Sequence, residues 1–411
     1  MRAVLVSLFR FFLRVFYRRI EVVGMENIRA DRPVVFAVNH PNGLVDPLFV
    51  LCFAPRPVSF LAKAPLFHYF FIGWFVRMFD SIPVFRKQDE TSGSNRETFA
   101  RAREILARGG SIAIFPEGTT HSDPHLHPLK TGVARIALGA SLPSLDIVPT
   151  GIYYTEKQTF RSSALVVYGT PIAVMPEPVD ESGEPNRESV DALTARIDEA
   201  LDAVTLQADS HAALELVAIA EDIFNDDPHQ TLAKEFELRR QFVEGYHYLR
   251  EHDPLRLAIL EAGIVYFARL AEGRTPSSAR RSILSWILLP AAVAGAIPNY
   301  PTYRLIGALT NRFSNEEEMR ATMKFVGALM LYPLTWLALG ALAWWRFGAL
   351  AAVASLVALP LLGLVALRVF EALATWRARP REDFAAQREA IRDEILAVWR
   401  EMTTARGSPT S

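Results

Sequence analysis

The sequence predicts an α/β domain, then a helical region, then a C-terminal transmembrane helical hairpin. Three observations lead there. Residues 20 to about 205 alternate short β-branched or aromatic runs with amphipathic helical patterns, the order that builds a sheet flanked by helices. Residues 206–280 read as helical, charged and without recognisable chemistry. Two apolar runs, Phe325–Trp345 and Phe347–Phe370, are interrupted only by Arg346. Each has about the ~20 residues that a bilayer-crossing helix requires.

In chain order, the first 19 residues, "MRAVLVSLFRFFLRVFYRR", lack the continuous apolar centre and small-residue cleavage site of a signal peptide. Arg10, Arg14 and Arg18 form one stripe of a helix and Phe9, Phe12, Leu13 and Phe16 another. That pattern fits a helix in a membrane interface, or an amphipathic helix docked on the domain. The α/β domain is expected at residues 20–205, with strands at Val34–Val38, Val58–Leu61, Ser111–Phe115, Ile147–Tyr153 and Ala164–Tyr168. Helices are expected at Asn95–Arg108, capped by Ser94 or Asn95 and closed by Gly109, and at Ser189–Val204. "MPEPVDESGEPNRE" (Met175–Glu188) is a Pro-rich, charged connector or loop.

Residues 281–379 form the expected membrane region. The flank before the hairpin carries Arg304, Arg312, Arg320 and Lys324, and the flank after it Arg368, Arg377 and Arg379. Basic flanks on both sides place both ends in the cytoplasm, with a tight external turn at Arg346 and tryptophans at the interfaces. An upstream run at 283–299 is broken by Pro290 and Gly295 and reads as re-entrant or interfacial. The tail, residues 380–411, holds an amphipathic helix with Phe384, Ile391, Ile395, Val398 and Met402 on its apolar side.

The 411 residues carry a formal net charge of −1 and half are hydrophobic, which argues against a general nucleic-acid binder. A single cysteine, Cys52, excludes an intrachain disulfide and a Cys-based zinc cluster, and its apolar neighbours suit a small core residue.

Chemistry concentrates in "VFAVNHPNGLVDPL", where His40 and Asp46 flank a turn-forming loop directly after an apolar strand. A histidine can take a proton from a hydroxyl, and a carboxylate on its other ring nitrogen fixes the tautomer and stabilises the imidazolium. No G-x-S-x-G elbow is present, so the substrate would supply the nucleophile. Read alone, Asp46 could equally be the N-cap of a helix starting at Pro47, and His40 a core histidine.

Further blocks follow: "FLAKAPLF" (Phe60–Phe67), "IPVFR" (Ile82–Arg86), "IAIFPEGTTH" (Ile112–His121), "LKTGVARIAL" (Leu129–Leu138) and "VPTGIYY" (Val148–Tyr154). An Asn-His…Asp block, a Pro-x-x-Arg block, a Phe-Pro-Glu-Gly block and a Val-Pro block in this order resemble the membrane-associated glycerolipid acyltransferases, over roughly residues 20–175. The resemblance implies that His40 is the general base and Asp46 its orienting partner. It implies that Arg86 binds the acceptor phosphate, that Glu117 and Gly118 shape the acceptor site, and that Pro149 lies near the acyl channel. Lys63 and Lys130 are candidate further phosphate contacts. Five residues separate His40 from Asp46, one more than is usual in the family, and Thr120 stands where an arginine is usual. A left-handed turn at Gly43 would close the longer loop. That spacing is similar to members that acylate glycerol 3-phosphate or dihydroxyacetone phosphate, and the continuation "LHPLKTGVARIAL" is more similar to the glycerol 3-phosphate group.

"HSDPHLH" (His121–His127) could ligate zinc, but its spacing fits no metal motif, the reaction needs no metal, and none is expected. "PLFHYFFIGWFVRMF" (Pro65–Phe79) reads as a core helix or one dipping into the membrane. The expected activity is O-acyl transfer from acyl-CoA or acyl-carrier protein, as co-substrate, to glycerol 3-phosphate in phospholipid biosynthesis. No cofactor and no nucleic acid are expected, membrane lipid is, and the catalytic domain should face the cytoplasm. The alternatives are a lysophosphatidic acid or other lysolipid acyltransferase, a silent lipid-binding scaffold, and a metallohydrolase built on the histidine cluster.

Overall fold

The computed structural model describes residues 2–68, 70–85, 95–181, 183–224, 230–271, 283–314, 316–374 and 385–407. The expected cap Ser94, the flank arginines Arg377 and Arg379, and Phe384 lie outside them. The chain forms two compact units: Met1–Gln207 with Glu316–Thr322, and Ala208–Asn315 with Met323–Ser411.

The first unit is built on an eight-stranded mixed sheet. Its strands are β1 (Arg19–Val23), β2 (Val34–Val38), β3 (Ser59–Lys63), β4 (Ile82–Val84), β5 (Ser111–Ile114), β6 (Leu145–Tyr154), β7 (Ser163–Tyr168) and β8 (Ile172–Val174), in the order β1-β7-β6-β2-β5-β3-β4, with β8 also paired to β6. β2 is buried along its whole length between β5 and β6, parallel to both, which is why it reads as an unbroken apolar run. The helices of this unit are α1 (Arg2–Phe16), α2 (Val45–Phe53), α3 (Phe70–Met78), α4 (Asn95–Ala107), α5 (Gly132–Leu138) and α6 (Arg187–Asp202). Val190, Leu193, Ile197 and Leu201 of α6 bury the apolar face expected from their spacing, beside Ile136 of α5 and Val35 of β2.

Five strands stand where β-branched runs place them, to within two residues at each end. The other three left weaker signals. β4 is three residues long with Pro83 at its centre, tolerated because β4 ends the sheet and a missing N–H costs nothing on an edge. β1 begins directly after the basic helix, and β8 has only three residues. Pro149 lies inside β6, a central strand. It sits between Ile147, the last residue paired to β8, and Thr150, the first paired to β7, so its lack of an N–H breaks no ladder.

α1 docks on the domain through Phe9, Leu13 and Phe16, and Arg10 donates to the Cys52 carbonyl at the end of α2, with Nε at 3.0 Å. Val4, Leu8 and Phe11 remain exposed on another face. In α3, Val76 is buried and Trp74 exposed. α2 starts at Val45 with Leu44 as its N-cap, so Asp46 lies inside the first turn and is not the cap.

In the second unit α7 (His211–Phe224), α8 (Leu232–His252), α9 (Pro254–Ala271) and α14 (Ala385–Gly407) pack together. Leu249, Leu257, Val398 and Met402 share a core, and Arg256 pairs with Glu394 and Glu401. The tail helix thus completes the charged helical region rather than standing apart. The remaining helices are α10 (Ile283–Ile287), α11 (Leu289–Phe313), α12 (Glu317–Phe347) and α13 (Ala349–Ala374). α12 and α13 are long and apolar enough to cross a membrane, and Leu334, Trp345 and Leu350 on them are exposed. Gly348, at φ +89°, turns the chain between the two helices, beside Arg346.

Candidate active site

The motif blocks converge because the parallel strands β2, β3, β4 and β5 all end at the same edge of the sheet, where open α/β sheets place their ligands. β2 delivers Asn39-His40, β5 delivers Phe115–Gly118, and β3 ends at Lys63 beside Val84. Arg86, two residues beyond β4, lies outside the described residues.

The loop does bring the histidine and aspartate together. His40 Nδ1 is 2.9 Å from Asp46 Oδ2. Asp46 is fully buried, and three donors converge on it: the imidazole, the Asn42 backbone N–H at 2.6 Å on the same oxygen, and the Tyr154 hydroxyl at 2.6 Å on the other. Burial and then the charge of Asp46 hold the Tyr154 hydroxyl well above the usual phenol range, so it remains a donor. In the tautomer protonated at Nδ1, which a carboxylate there favours, Nε2 is presented as an acceptor. The imidazole stacks on Phe115, with ring centroids 4.0 Å apart, which fixes its plane.

Asn39 explains the residue before the histidine. Its amide donates to the Ile152 carbonyl at 3.1 Å and accepts the Ile152 N–H at 2.7 Å, continuing the β2–β6 ladder by one side chain. Gly43 has φ +29°, so a positive φ at this glycine does accommodate the extra loop residue.

Glu117 is buried and its carboxylate is occupied. Oε1 accepts the His40 backbone N–H at 2.9 Å, and Oε2 accepts the His127 N–H at 3.1 Å and contacts His121 Nε2. It therefore holds the first and third blocks together. Gly118 has φ +72°, and a Cβ there would run into the Lys130 ammonium. Lys130 is exposed, its N–H anchored on the Pro116 carbonyl at 2.8 Å. Lys63 is exposed at the strand end. Pro149 is buried in β6, opposite Ala37 of β2 and two residues short of the Asn39 level.

The histidine loop folds into a cluster. His121, Asp123 and His127 bring possible ligand atoms within 4.8 Å of one another. The His121 and His127 rings, however, lie parallel with centroids 3.7 Å apart. A metal ion lies in the plane of each imidazole that binds it at ~2 Å, which two stacked planes cannot share. His127 Nε2 is 2.5 Å from Asp123 Oδ2, and the imidazoles hold that carboxyl below the usual range.

Tyr154, Phe115 and Asn42 were not singled out by sequence. All three lie inside the motif blocks, but only the packed fold shows what they touch.

A buried carboxylate behind an imidazole, at the mouth of an α/β sheet, is an arrangement suited to accepting a proton from a bound hydroxyl. Residues 19–153 match the family model described as Acyltransferase. Among the chain's relatives is glycerol-3-phosphate O-acyltransferase 1 of Saccharomyces cerevisiae, 31% identical over 250 residues that cover 55% of this chain and 32% of that protein. Glycerol-3-phosphate O-acyltransferase 2 of the same yeast is 33% identical over 165 residues, 39% of this chain and 22% of that one. A chloroplastic 1-acyl-sn-glycerol-3-phosphate acyltransferase of Brassica napus is 30% identical over 137 residues, covering 33% and 38%. The alignments thus span only 22% to 38% of these relatives' own lengths.

Proposed function

We propose that this chain is an O-acyltransferase that moves a fatty acyl group from an acyl thioester to glycerol 3-phosphate. The observation that carries the reading is the His40–Asp46 pair, 2.9 Å apart and backed by Tyr154, with Nε2 unbonded among the described residues. The acceptor hydroxyl gives its proton to His40 Nε2 as its oxygen attacks the thioester carbonyl. The tetrahedral intermediate collapses with cleavage of the C–S bond. The leaving thiolate takes the proton back from His40, giving an ester and a free thiol. The names of the two yeast relatives and the longer His40–Asp46 loop favour glycerol 3-phosphate. The name of the plant relative favours lysophosphatidic acid as the second reading.

In this proposal acyl-CoA or acyl-carrier protein is a co-substrate and no cofactor takes part. The α/β unit faces the cytoplasm, because basic residues flank the pair of long apolar helices at both ends. The test offers a radiolabelled acyl-CoA and each acceptor separately to membranes containing the protein. Lysophosphatidic acid formed from glycerol 3-phosphate supports the first reading. Phosphatidic acid formed only from lysophosphatidic acid supports the second. Arg86→Ala is expected to raise the acceptor KM by about ten-fold or more while kcat changes less, as loss of a phosphate contact would.

A further inference from the structure

We propose that Glu317–Thr322, the opening of α12, is a positioning segment of the active site, holding the His40–Asp46 loop and the loop after Gly118 in place. The inference rests on the acyl-transfer reading. These residues are far from the catalytic blocks in sequence, yet they belong to the same compact unit as the sheet.

Two contacts fix the first loop. Leu44 is the N-cap of α2, and its side chain makes no capping hydrogen bond. Its backbone N–H donates to Thr322 Oγ1 at 3.1 Å, the place a capping-box side chain from the helix itself would take. Gly43, the neighbouring loop residue, lies directly under the same turn. A Cβ there would be 2.7 Å from Thr322 Oγ1 and 3.1 Å from the Glu318 carbonyl oxygen. The longer His40–Asp46 loop is therefore closed against α12.

The second loop is tied by the same turn. The Ser122 hydroxyl donates to the Glu318 carboxylate. Lys157 donates to Ser122 Oγ and, at 3.4 Å, to the carbonyl of Pro41, the residue after His40. Burial pulls Lys157 below the ordinary lysine range, and the carboxylates of Glu318 and then Glu317 push it back up. Arg320 donates to Gln158 Oε1 at 3.2 Å on the strand-end segment that carries Lys157. One helical turn thus grips both chemistry-bearing loops. The base and its carboxylate must keep their geometry through the reaction, and a loop free to shift by an ångström loses rate without losing substrate affinity.

The experiment uses the full-length protein in membranes, with expression matched. Thr322→Val keeps the side-chain shape and removes the acceptor, Thr322→Ser keeps the acceptor, and Leu337→Ala changes an exposed residue elsewhere on α12. Thr322→Val is expected to lower kcat about ten-fold, with KM for donor and acceptor within about two-fold. Thr322→Ser should restore kcat, and Leu337→Ala should match the wild type. Independently of turnover, Thr322→Val and Glu318→Gln should each speed modification of His40 by diethyl pyrocarbonate, read by mass spectrometry. Wild-type turnover and His40 reactivity in Thr322→Val and Glu318→Gln would overturn the proposal while leaving the acyl-transfer reading intact. A wild-type protein inactive on every acyl donor and acceptor would overturn both.

Discussion

Asp46 is the residue on which the site turns. A fully buried carboxylate is costly unless each oxygen is satisfied, and here the imidazole, the Asn42 N–H and the Tyr154 hydroxyl do so. His40→Ala is expected to lower kcat by about a thousand-fold, in the range typical of a lost general base, with the circular dichroism spectrum unchanged. Tyr154→Phe removes one donor and keeps the ring packed on Phe49, so kcat should fall about ten-fold at constant KM. The parallel rings of His121 and His127 make the neighbouring cluster a poor metal site. Transfer measured after dialysis against a strong chelator should match that before it. A loss restored by zinc alone would return the metal reading.

Among the elements, α11 carries the clearest prediction. As α11 advances through Ala292, Gly295 and Asn299, it meets Ala366 and Val369, then Leu362, then Leu359, so it runs antiparallel to α13. From Asn299 onward it meets Trp336, Thr335 and Gly327 in turn, so its second half runs back along α12. Pro298 and Pro301 lie between the two halves, and helices bend where a proline removes a backbone bond. Asn299, buried at that point, donates to the Gly295 and Leu359 carbonyls and accepts from the Trp336 indole. Because α14 packs on α7–α9, the chain must be on one side of the membrane both before α11 and after α13. If α12 and α13 both cross, α11 must enter and leave by the same face. On a Cys52→Ala background, Leu284→Cys and Arg312→Cys should therefore react with an impermeant thiol reagent from the same side. Reaction from opposite sides would make α11 a crossing helix.

At the scale of the whole molecule, the α/β unit buries the phenols of Tyr17, Tyr154 and Tyr168. Tyr17 and Tyr154 are held well above the usual value of 10.0 by burial and then by Asp46, and Tyr168 is raised by burial alone. A group with a raised folded pKa contributes its full stability below the unfolded pKa, and that contribution fades as pH rises toward the folded value. Thermal melts should thus be flat with respect to these groups up to about pH 9 and fall above about pH 10, where only the unfolded phenols ionise. Cys52, whose thiol is pushed up to about 12 by burial, should resist alkylation until the unit unfolds.

Read from the chain alone, much of the architecture was already legible. Apolar runs of strand length marked five strands, helical spacing marked α4 and α6, and uninterrupted hydrophobicity marked the two long helices, because each is a local property of consecutive residues. The motif blocks marked His40, Asp46, Glu117 and Gly118, because chemistry restricts residue type. What only the tertiary structure decided were contacts between distant residues. That Tyr154 backs Asp46, that Pro149 sits where β6 changes partners, that α14 packs on α7–α9, and that Thr322 caps a turn 278 residues earlier all depend on how the chain closes on itself. Local sequence specifies a residue's preferences; its partners are set by burial and hydrogen-bond satisfaction across the whole fold.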